Sequence, residues 1–275
     1  MFSIVYSTYR CGGFDILADA LSHQTIKEYE LIIVDDFKVD RRQAVREYLE
    51  ERGVFASYIG PSKPKCFPEL AFGVLNAMNT GFMLSTCEVV IYLQDYIWCP
   101  PDWLEKLEKQ RDKLKQNYCI VLPGHSWDNF KPRDNSGLLS VWSPPWKGTP
   151  EQNGCCPGPP WIPEGWEFAC IAYPWPVLEK SNGWPECLDA YAGHPLEPVT
   201  KRLESAGGRP YVDKGNMVDM VNHRIWLPHE MWHQARRTPR GSTDYIEREN
   251  TFDLKNYQRG RACWMEEAKV AAGHL

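Results

Sequence analysis

The chain has 275 residues, a formal net charge of −5 and 43% hydrophobic residues. This length suits one large domain, or one domain with an appended lobe, and the apolar content is sufficient for a sizeable core. The acidic balance does not indicate a broad surface for nucleic acid or anionic membrane, and no apolar run reaches the roughly 20 residues that a membrane-spanning helix needs.

Strand-like and helix-like segments alternate through the first half of the chain. The strands predicted from apolar, β-branched runs are residues 2–7, 31–35, 54–60, 89–94 and 119–122. The helices predicted between them are residues 15–23, 40–52, 69–85 and 101–117. Alternation of this kind indicates an α/β fold with a parallel sheet that helices cover on both faces.

The second half of the chain is less regular. Further strands are predicted at residues 138–142, 167–173, 209–213 and 216–222, and helices at residues 196–205 and 262–272. Many of the 12 tryptophans and 22 prolines fall between residues 127 and 184. Because proline blocks regular helices and central strands, we expect loops here rather than a sheet. The tryptophans suit either core packing or flat platforms for sugars and bases.

The first strand-helix-strand unit ends in two adjacent carboxylates, Asp35 and Asp36. In open α/β sheets, ligands bind outside the carboxyl ends of the strands. The unit is therefore typical of one half of a nucleotide-binding domain. A solvated turn after a strand is the alternative interpretation of the two carboxylates.

Three short motifs fall in this unit: Ser7-Thr8-Tyr9, His23-Gln24-Thr25 and Val34-Asp35-Asp36. Together they resemble the opening of GT-A glycosyltransferases of the family-2 type. That opening consists of a strand, Pro-Thr-Tyr-Asn, a helix ending in Gln-Thr and a strand ending in Val-Asp-Asp. The resemblance implies a GT-A α/β fold, with a mostly parallel sheet flanked by helices and a Trp/Pro-rich acceptor region.

The resemblance continues in residues 75–107, where Asn79, Gly81 and Glu88 match the family's second block. The family's Leu-Asp-Asp-Asp motif is reduced here to one carboxylate, Asp95. The fold is therefore more strongly indicated than an intact mechanism.

The resemblance implies a hexosyltransferase that moves a sugar from a nucleotide-diphosphate donor, a UDP-sugar, to an acceptor hydroxyl with inversion. It divides the chain into a donor-binding half (1–123), an acceptor-binding half (124–223) and a C-terminal lid and helix (224–275). It assigns nucleotide binding to Thr8, Tyr9, Asp35, Asp36, Asn79 and Asp95.

The family neutralises the donor diphosphate with Mn²⁺ or Mg²⁺, which take hard oxygen ligands. The resemblance gives Asp95 as one ligand and His223, at the end of a predicted strand, as another. Asp95 has fewer carboxylates beside it than the family's motif provides, so arginines of the C-terminal segment are the alternative phosphate partners. They are Arg224, Arg236, Arg237 and Arg240.

Inverting transfer needs one general base. The family's third block is matched by Asn182-Gly183-Trp184, but its Glu-Asp pair is absent and residues 193–197 occupy that place. We favour Asp189 and Glu197 as candidates for the base. Glu186 and His194 are the other options.

Two alternatives to a transferase remain. His229-Glu230-Met231-Trp232-His233 spells H-E-x-x-H, the zinc-protease signature. Pro228 and Pro239 leave room for a short helix only, and no third ligand follows in a recognisable frame, so a zinc hydrolase is less favoured. The reduced acidic motif also suits a catalytically inactive nucleotide- or sugar-binding protein of the same fold.

The ten cysteines include no C-x-x-C pair, and the chain does not open with a basic segment followed by an apolar run. These features predict reduced thiols, no signal peptide and a cytoplasmic location. The expected partners are a nucleotide-sugar donor and an acceptor of open class: a glycan, a protein, a small molecule or a modified nucleobase. No membrane span is expected.

Overall fold

The computed structural model describes residues 1–10, 12–65, 73–127, 139, 160–161, 169–190 and 196–221. The strands in these ranges are β1 (Phe2–Thr8), β2 (Tyr29–Asp35), β3 (Tyr58–Gly60), β4 (Val89–Gln94), β5 (Ile97–Trp98), β6 (Tyr118–Val121), β7 (Gly124–Trp127), β8 (Pro160–Trp161), β9 (Cys170–Pro174), β10 (Arg209–Val212) and β11 (Val218–Val221). The helices are α1 (Phe14–Ser22), α2 (Arg42–Glu50), α3 (Val74–Leu84), α4 (Trp103–Lys109), α5 (Arg111–Lys115), α6 (Trp175–Ser181) and α7 (Leu196–Ser205), with a 3₁₀ turn at Glu186–Ala190.

The main sheet has seven strands in the order β10-β6-β9-β4-β1-β2-β3. Six of the described strands run parallel to one another, and β9 runs antiparallel to β4 and β6. The prediction of a mostly parallel sheet flanked by helices is therefore confirmed, with one reversed strand. β9 and β10 come from the predicted acceptor half, so strands from both predicted halves share this sheet.

Helices cover the two faces of the sheet and bury its central strands. One face packs against α1, α2 and α4 through alternate residues such as Ile4 and Leu31. The other face packs against α3, α6 and α7 through residues such as Val5 and Ile32. Strands that are buried on both faces read as continuous apolar runs, which explains why β1 and β4 could be located from sequence.

A second sheet has the order β5-β11-β7-β8. Its edge strand β8 consists of Pro160 and Trp161, which pair antiparallel with β7. The sequence predicted a loop rather than a sheet strand for these two residues of the proline-rich region, and the structure corrects that expectation. A proline is tolerated here because the outer side of an edge strand needs no N–H donor.

Two predicted elements differ from the structure by more than a few end residues. The strand predicted at residues 54–60 is formed by Tyr58–Gly60 only. The first residue of the predicted strand, Val54, instead belongs to the C-terminal cap of α2. Gly53 adopts a φ of 72°, and the N–H of Val54 donates to the carbonyl of Leu49 at 3.0 Å. The helix predicted at residues 101–117 is interrupted at Gln110, whose ψ of 9° separates α4 from α5.

None of the helices among the described residues is long and apolar enough to cross a membrane. Four cysteines in the described segments are buried free thiols, namely Cys87, Cys99, Cys119 and Cys170. The strand predicted at residues 138–142 and the helix predicted at residues 262–272 lie outside the described residues, apart from residue 139.

Candidate functional site

The carboxyl ends of three adjacent strands bring most of the predicted donor residues together. β1 lies between β2 and β4, with Thr8 in register with Asp35 and Ser7 in register with Gln94. Asp95 follows directly after β4. Because parallel strands end at the same edge of a sheet, Thr8, Asp35 and Asp95 all lie at the carboxyl edge, where α/β sheets bind their ligands.

A buried ion pair engages Asp95. Its Oδ1 atom lies 2.8 Å from Nη2 of Arg10, and these side chains are 2% and 4% exposed. The hydroxyl of Thr8 donates a hydrogen bond of 3.0 Å to Oδ2. The Arg10 guanidinium lies 5.4 Å from the ring centroid of Tyr9 and 5.2 Å from that of Tyr96. Both carboxylate oxygens of Asp95 are therefore engaged by the protein itself.

The backbone after Asp95 explains part of this arrangement. Tyr96 adopts a φ of 62°, which turns the chain sharply, and its side chain is buried beside Arg10. Burial raises the pKa of the Asp95 carboxyl, and the attraction of Arg10 and the hydrogen bond from Thr8 oppose that rise. Asp95 is thus held by a cation and a hydroxyl inside the protein.

Arg41 forms the matching pair with Asp35. Its Nε–H donates to Oδ2 of Asp35 at 2.7 Å, and its Nη2 donates to Oδ1 at 2.9 Å. The same Nη2 also donates to the carbonyl of Arg10 at 2.6 Å, which connects the two ion pairs. Phe14 and Phe37 cover the Arg41 guanidinium, with ring centroids at 4.9 and 4.3 Å. We call Thr8, Arg10, Asp35, Arg41 and Asp95 the edge cluster.

Asp36 and Tyr9 follow directly after β2 and β1, beside the edge cluster. Asp36 accepts hydrogen bonds of 2.8 Å from the backbone N–H and from the hydroxyl of Ser62. Burial raises the pKa of its carboxyl against the effect of these bonds. Tyr9 is partly buried and packs against the hydrophobic cluster below α3. Both residues lie at the predicted nucleotide-binding edge.

Asn79 is separate from the edge cluster. It lies within α3, fully buried, and its side chain accepts from the N–H of Trp184 and donates to the Trp184 carbonyl, both at 2.8 Å. Its amide also donates to Oε1 of Glu186 at 2.9 Å. Asn79 thus connects α3 to the segment after α6 through hydrogen bonds. Its role in donor binding stays a prediction.

A third buried ion pair, between Lys63 and Glu186, strengthens this contact between α3 and the segment after α6. Nζ of Lys63 lies 2.6 Å from Oε1 of Glu186, and the two side chains are 3% and 0% exposed. The backbone N–H of Lys63 donates to the hydroxyl of Thr80 on α3 at 3.0 Å. Glu186, one of the optional bases, is therefore held inside the protein by a lysine. We call Lys63, Asn79 and Glu186 the clasp.

Asp189 lies at the amino end of α3. Its two carboxylate oxygens accept hydrogen bonds from the N–H groups of Leu75 (2.8 Å) and Asn76 (2.9 Å). Burial raises the pKa of Asp189 to about 7, against these two bonds, which lower it. A Cβ at Gly73 would lie 2.6 Å from its Oδ2, so a larger residue at position 73 would have to displace the carboxylate.

Asp189 is at the same edge of the sheet as the edge cluster. α3 connects β3 to the parallel strand β4, so it runs back across the sheet and begins at the carboxyl edge. Glu197 lies in the first turn of α7. Its side chain lies outside the described residues, so its predicted role as a base stays a prediction.

The described residues do not fit a divalent cation at Asp95. Such an ion needs hard, anionic oxygen ligands, and both oxygens of Asp95 already face Arg10 and Thr8. Within the described ranges no three His, Cys, Asp or Glu residues cluster as a metal site would require. His223, the second predicted ligand, lies outside these ranges.

Other predicted features also fall outside the described residues. They are His194, the H-E-x-x-H motif at residues 229–233, the four C-terminal arginines and most of the Trp/Pro-rich region. Conversely, Arg10, Arg41 and Lys63 were not singled out from sequence. Arg10 could have been, because it stands where the family's Pro-Thr-Tyr-Asn opening has asparagine.

Solved structures of sugar transferases resemble this fold. GalNAc-T7 with UDP, GalNAc and Mn²⁺ has a TM-score of 0.55 at 16% identity, covering 81% of this chain and 44% of that chain. Residues 1–349 of S. aureus TarS have a TM-score of 0.53 at 15% identity, with coverages of 80% and 60%. Mannosyltransferase PcManGT from Pyrobaculum calidifontis, in complex with GDP-Man and Mn²⁺, has a TM-score of 0.54 at 16% identity, with coverages of 86% and 60%.

The chain thus spans 60% or less of the length of these three proteins, and at such identities the likeness shows the fold alone. The comparison with curated proteins gave no significant match. The family model described as glycosyl transferase family 2 matches residues 3–159, which is more than half of the chain. The GT-A fold and this match agree: the chain belongs to glycosyl transferase family 2.

Proposed function

We propose that this protein transfers a sugar from a nucleotide-diphosphate donor, a UDP-sugar, to an acceptor hydroxyl with inversion. The observation that carries the proposal is the edge cluster, which gathers Thr8, Asp35 and Asp95 at the carboxyl ends of three adjacent strands. A structure of TarS with UDP-GlcNAc, at a TM-score of 0.51 and 13% identity, is among the similar folds, which supports a UDP-sugar as the first donor to test.

Asp35 is suited to hold the nucleoside. Its Oδ2 atom accepts one hydrogen bond, from Nε of Arg41, and a carboxylate oxygen has a second lone pair for another donor. The imide N–H of uracil or a ribose hydroxyl would supply that donor. Tyr9 lies beside the strand end with part of its side chain exposed, where it would stack against the base.

Asp189 is our candidate for the general base. A base works best when its pKa lies near the operating pH, and the pKa of Asp189 is about 7. Each of its oxygens accepts one described backbone bond, so each has a lone pair for an acceptor hydroxyl. Glu197 remains the second candidate, because α7 begins a few residues after the 3₁₀ turn that carries Asp189.

The acceptor class stays open among a glycan, a protein, a small molecule and a modified nucleobase. We place the acceptor with residues 124–223, where the Trp/Pro-rich region would shape its site, and the donor with residues 1–123. Residues 224–275 would form the lid, and a cytoplasmic location also stays a prediction. Asp95 is engaged by Arg10 and is therefore not available to a metal ion in the proposed reaction.

A catalytically inactive nucleotide-binding protein is the second candidate function. The observation that favours it is the reduced acidic motif, whose remaining carboxylate, Asp95, forms an ion pair with Arg10. Such a protein would bind the nucleotide but would not break the bond between sugar and diphosphate.

The test combines binding with turnover. UDP release from a panel of UDP-sugars is measured with acceptors of the four classes, and UDP binding is measured by calorimetry. The proposal predicts binding and acceptor-dependent release of UDP. Binding without hydrolysis or transfer across the panel would favour the inactive protein. If neither UDP nor another nucleoside diphosphate binds, both readings are wrong.

A further inference from the structure

The ion pair between Arg10 and Asp95 lies where the family's acidic motif ends its strand. The Arg10 side chain is only 4% exposed, and its guanidinium lies 5.4 and 5.2 Å from the ring centroids of Tyr9 and Tyr96, so the ion pair is buried rather than on the surface. Asp95 is equally buried, and Thr8 engages its second oxygen. Arg10 and Asp95 neutralise each other's charge inside the protein.

The edge cluster as a whole is balanced in charge. Asp35 and Asp95 supply two carboxylates, and Arg10 and Arg41 supply two guanidinium groups, one at each carboxylate. The hydrogen bond from Arg41 to the Arg10 carbonyl joins the pairs into one network. A divalent cation at Asp95 would lie beside the fixed guanidinium of Arg10, which repels it.

Arg10 also departs from the family's pattern at the matching place. The family's opening has asparagine after Thr-Tyr, and its acidic motif carries several carboxylates. This chain has Arg10 at the first place and Asp95 alone at the second. The two departures from the family's pattern lie at one place in the structure, because the added positive charge of Arg10 is in direct contact with Asp95, the remaining carboxylate of the acidic motif.

Taking the proposed function as its basis, we propose that the donor site binds its nucleoside diphosphate without a divalent cation, because Arg10 occupies the carboxylate that would otherwise hold the metal. Arg10 is a positioning residue in this scheme, since it acts through Asp95. The charge of the diphosphate would then be met by basic side chains of the chain itself, and no metal bridges the protein and the phosphates.

The first experiment is calorimetry on the wild-type chain with UDP, GDP, CDP, ADP and dTDP, once with EDTA and once with millimolar Mn²⁺. We expect the Kd of the nucleotide that binds to differ by less than about threefold between the two conditions. Binding that needs Mn²⁺, or that Mn²⁺ strengthens by about tenfold or more, would overturn this inference while leaving the proposed function intact. Absence of binding under both conditions would overturn the proposed function and this inference together.

The second experiment replaces Arg10. In Arg10→Met the aliphatic stem remains but Asp95 loses its cation, so we expect the variant to bind Mn²⁺ in the presence of nucleotide. Loss of the free Mn²⁺ signal in electron paramagnetic resonance, relative to a protein-free sample with the same nucleotide and Mn²⁺ concentrations, measures this gain, and the wild type should leave the signal at the protein-free level. Depletion of the signal by the wild type at stoichiometric concentration would contradict the proposal.

Two controls accompany the replacement. Arg46→Met removes an arginine from an exposed ion pair with Glu50 on α2 and should leave Mn²⁺ free. The double variant Arg10→Met/Asp95→Asn should lose the gained Mn²⁺ binding, which assigns it to Asp95. If Arg10→Met does not fold, Arg10→Lys retains the cation and should show the same indifference to Mn²⁺ as the wild type. A requirement for Mn²⁺ in Arg10→Lys would contradict the proposal.

Discussion

The clasp between Lys63 and Glu186 gives a stability prediction whose size follows from burial. The two charged atoms are 2.6 Å apart and the side chains are almost completely buried. Lys63→Met would leave the Glu186 carboxylate inside the protein without its cation, beside the amide of Asn79. Removal of one partner of a buried pair costs about 3–5 kcal/mol, so we expect the free energy of unfolding to fall by that amount.

Urea denaturation followed by tryptophan fluorescence measures this change, and thermal unfolding should show Tm lowered by roughly 6–20 °C. The matched control is Lys109→Met, because Lys109 and Glu105 are 2.8 Å apart but 68% and 44% exposed. Solvent screens that pair, so we expect no resolvable loss of stability.

The double variant Lys63→Met/Glu186→Gln separates the uncompensated charge from lost packing. The introduced glutamine would be neutral and would still accept from Asn79, so we expect at least half of the lost stability to return. Equal losses in Lys63→Met and Lys109→Met would refute the reasoning from burial. No recovery in the double variant would show that packing, rather than charge, sets the cost.

Further predictions concern the carboxyl edge. Because Asp189 must be ionised to accept a proton, kcat should rise with pH through about 7. Asp189→Asn should lower kcat by about 100-fold or more and abolish this pH dependence. An unchanged pH profile of the variant in steady-state assays would exclude Asp189 as the base. The folded pKa of Asp189 lies above its ordinary value of 3.8, so its contribution to stability is present at low pH and is lost as pH rises towards 7. Asp35→Ala should weaken UDP binding by about tenfold or more in calorimetry, and an unchanged Kd would place the nucleoside elsewhere. Gly73→Ala should destabilise the chain by about 1–3 kcal/mol in urea, because its Cβ meets the Asp189 carboxylate, and no loss would show that this carboxylate can move freely.

The parts of the fold that depend on local pattern were predictable. β4 has the predicted limits, and β1 extends one residue beyond its prediction. The match of Gly81 to the family's second block also has a physical reason in the structure. A Cβ at Gly81 would clash with Val5, so glycine lets α3 lie close against β1.

The ion pairs at the site were not predictable in the same way. Arg10 and Asp95 are contributed by the ends of different strands, and Lys63 and Glu186 lie far apart in the chain. No local periodicity links such residues, and their contact depends on the order of the strands. Asp189 is a similar case, because it caps α3 through the N–H of Leu75, which lies 114 residues earlier in the chain.

The division at Gln110 and the short edge strand β8 were missed for a related reason. Helical propensity continues through residues 101–117, but the Gln110 side chain turns towards Asp213, at 3.4 Å. Pro160 signals a loop in isolation, and only its position at a sheet edge permits pairing. Both features depend on tertiary contacts that outweigh local preference.

A crystal structure of the protein with a bound UDP-sugar tests the central claim most directly. We expect the uracil or ribose against Asp35, the diphosphate at the carboxyl ends of β1 and β4, and the face of the anomeric carbon opposite the diphosphate turned towards Asp189. Arg10 should remain paired with Asp95. A nucleotide bound away from this edge, or a metal ion bridging Asp95 and the diphosphate, would contradict this claim.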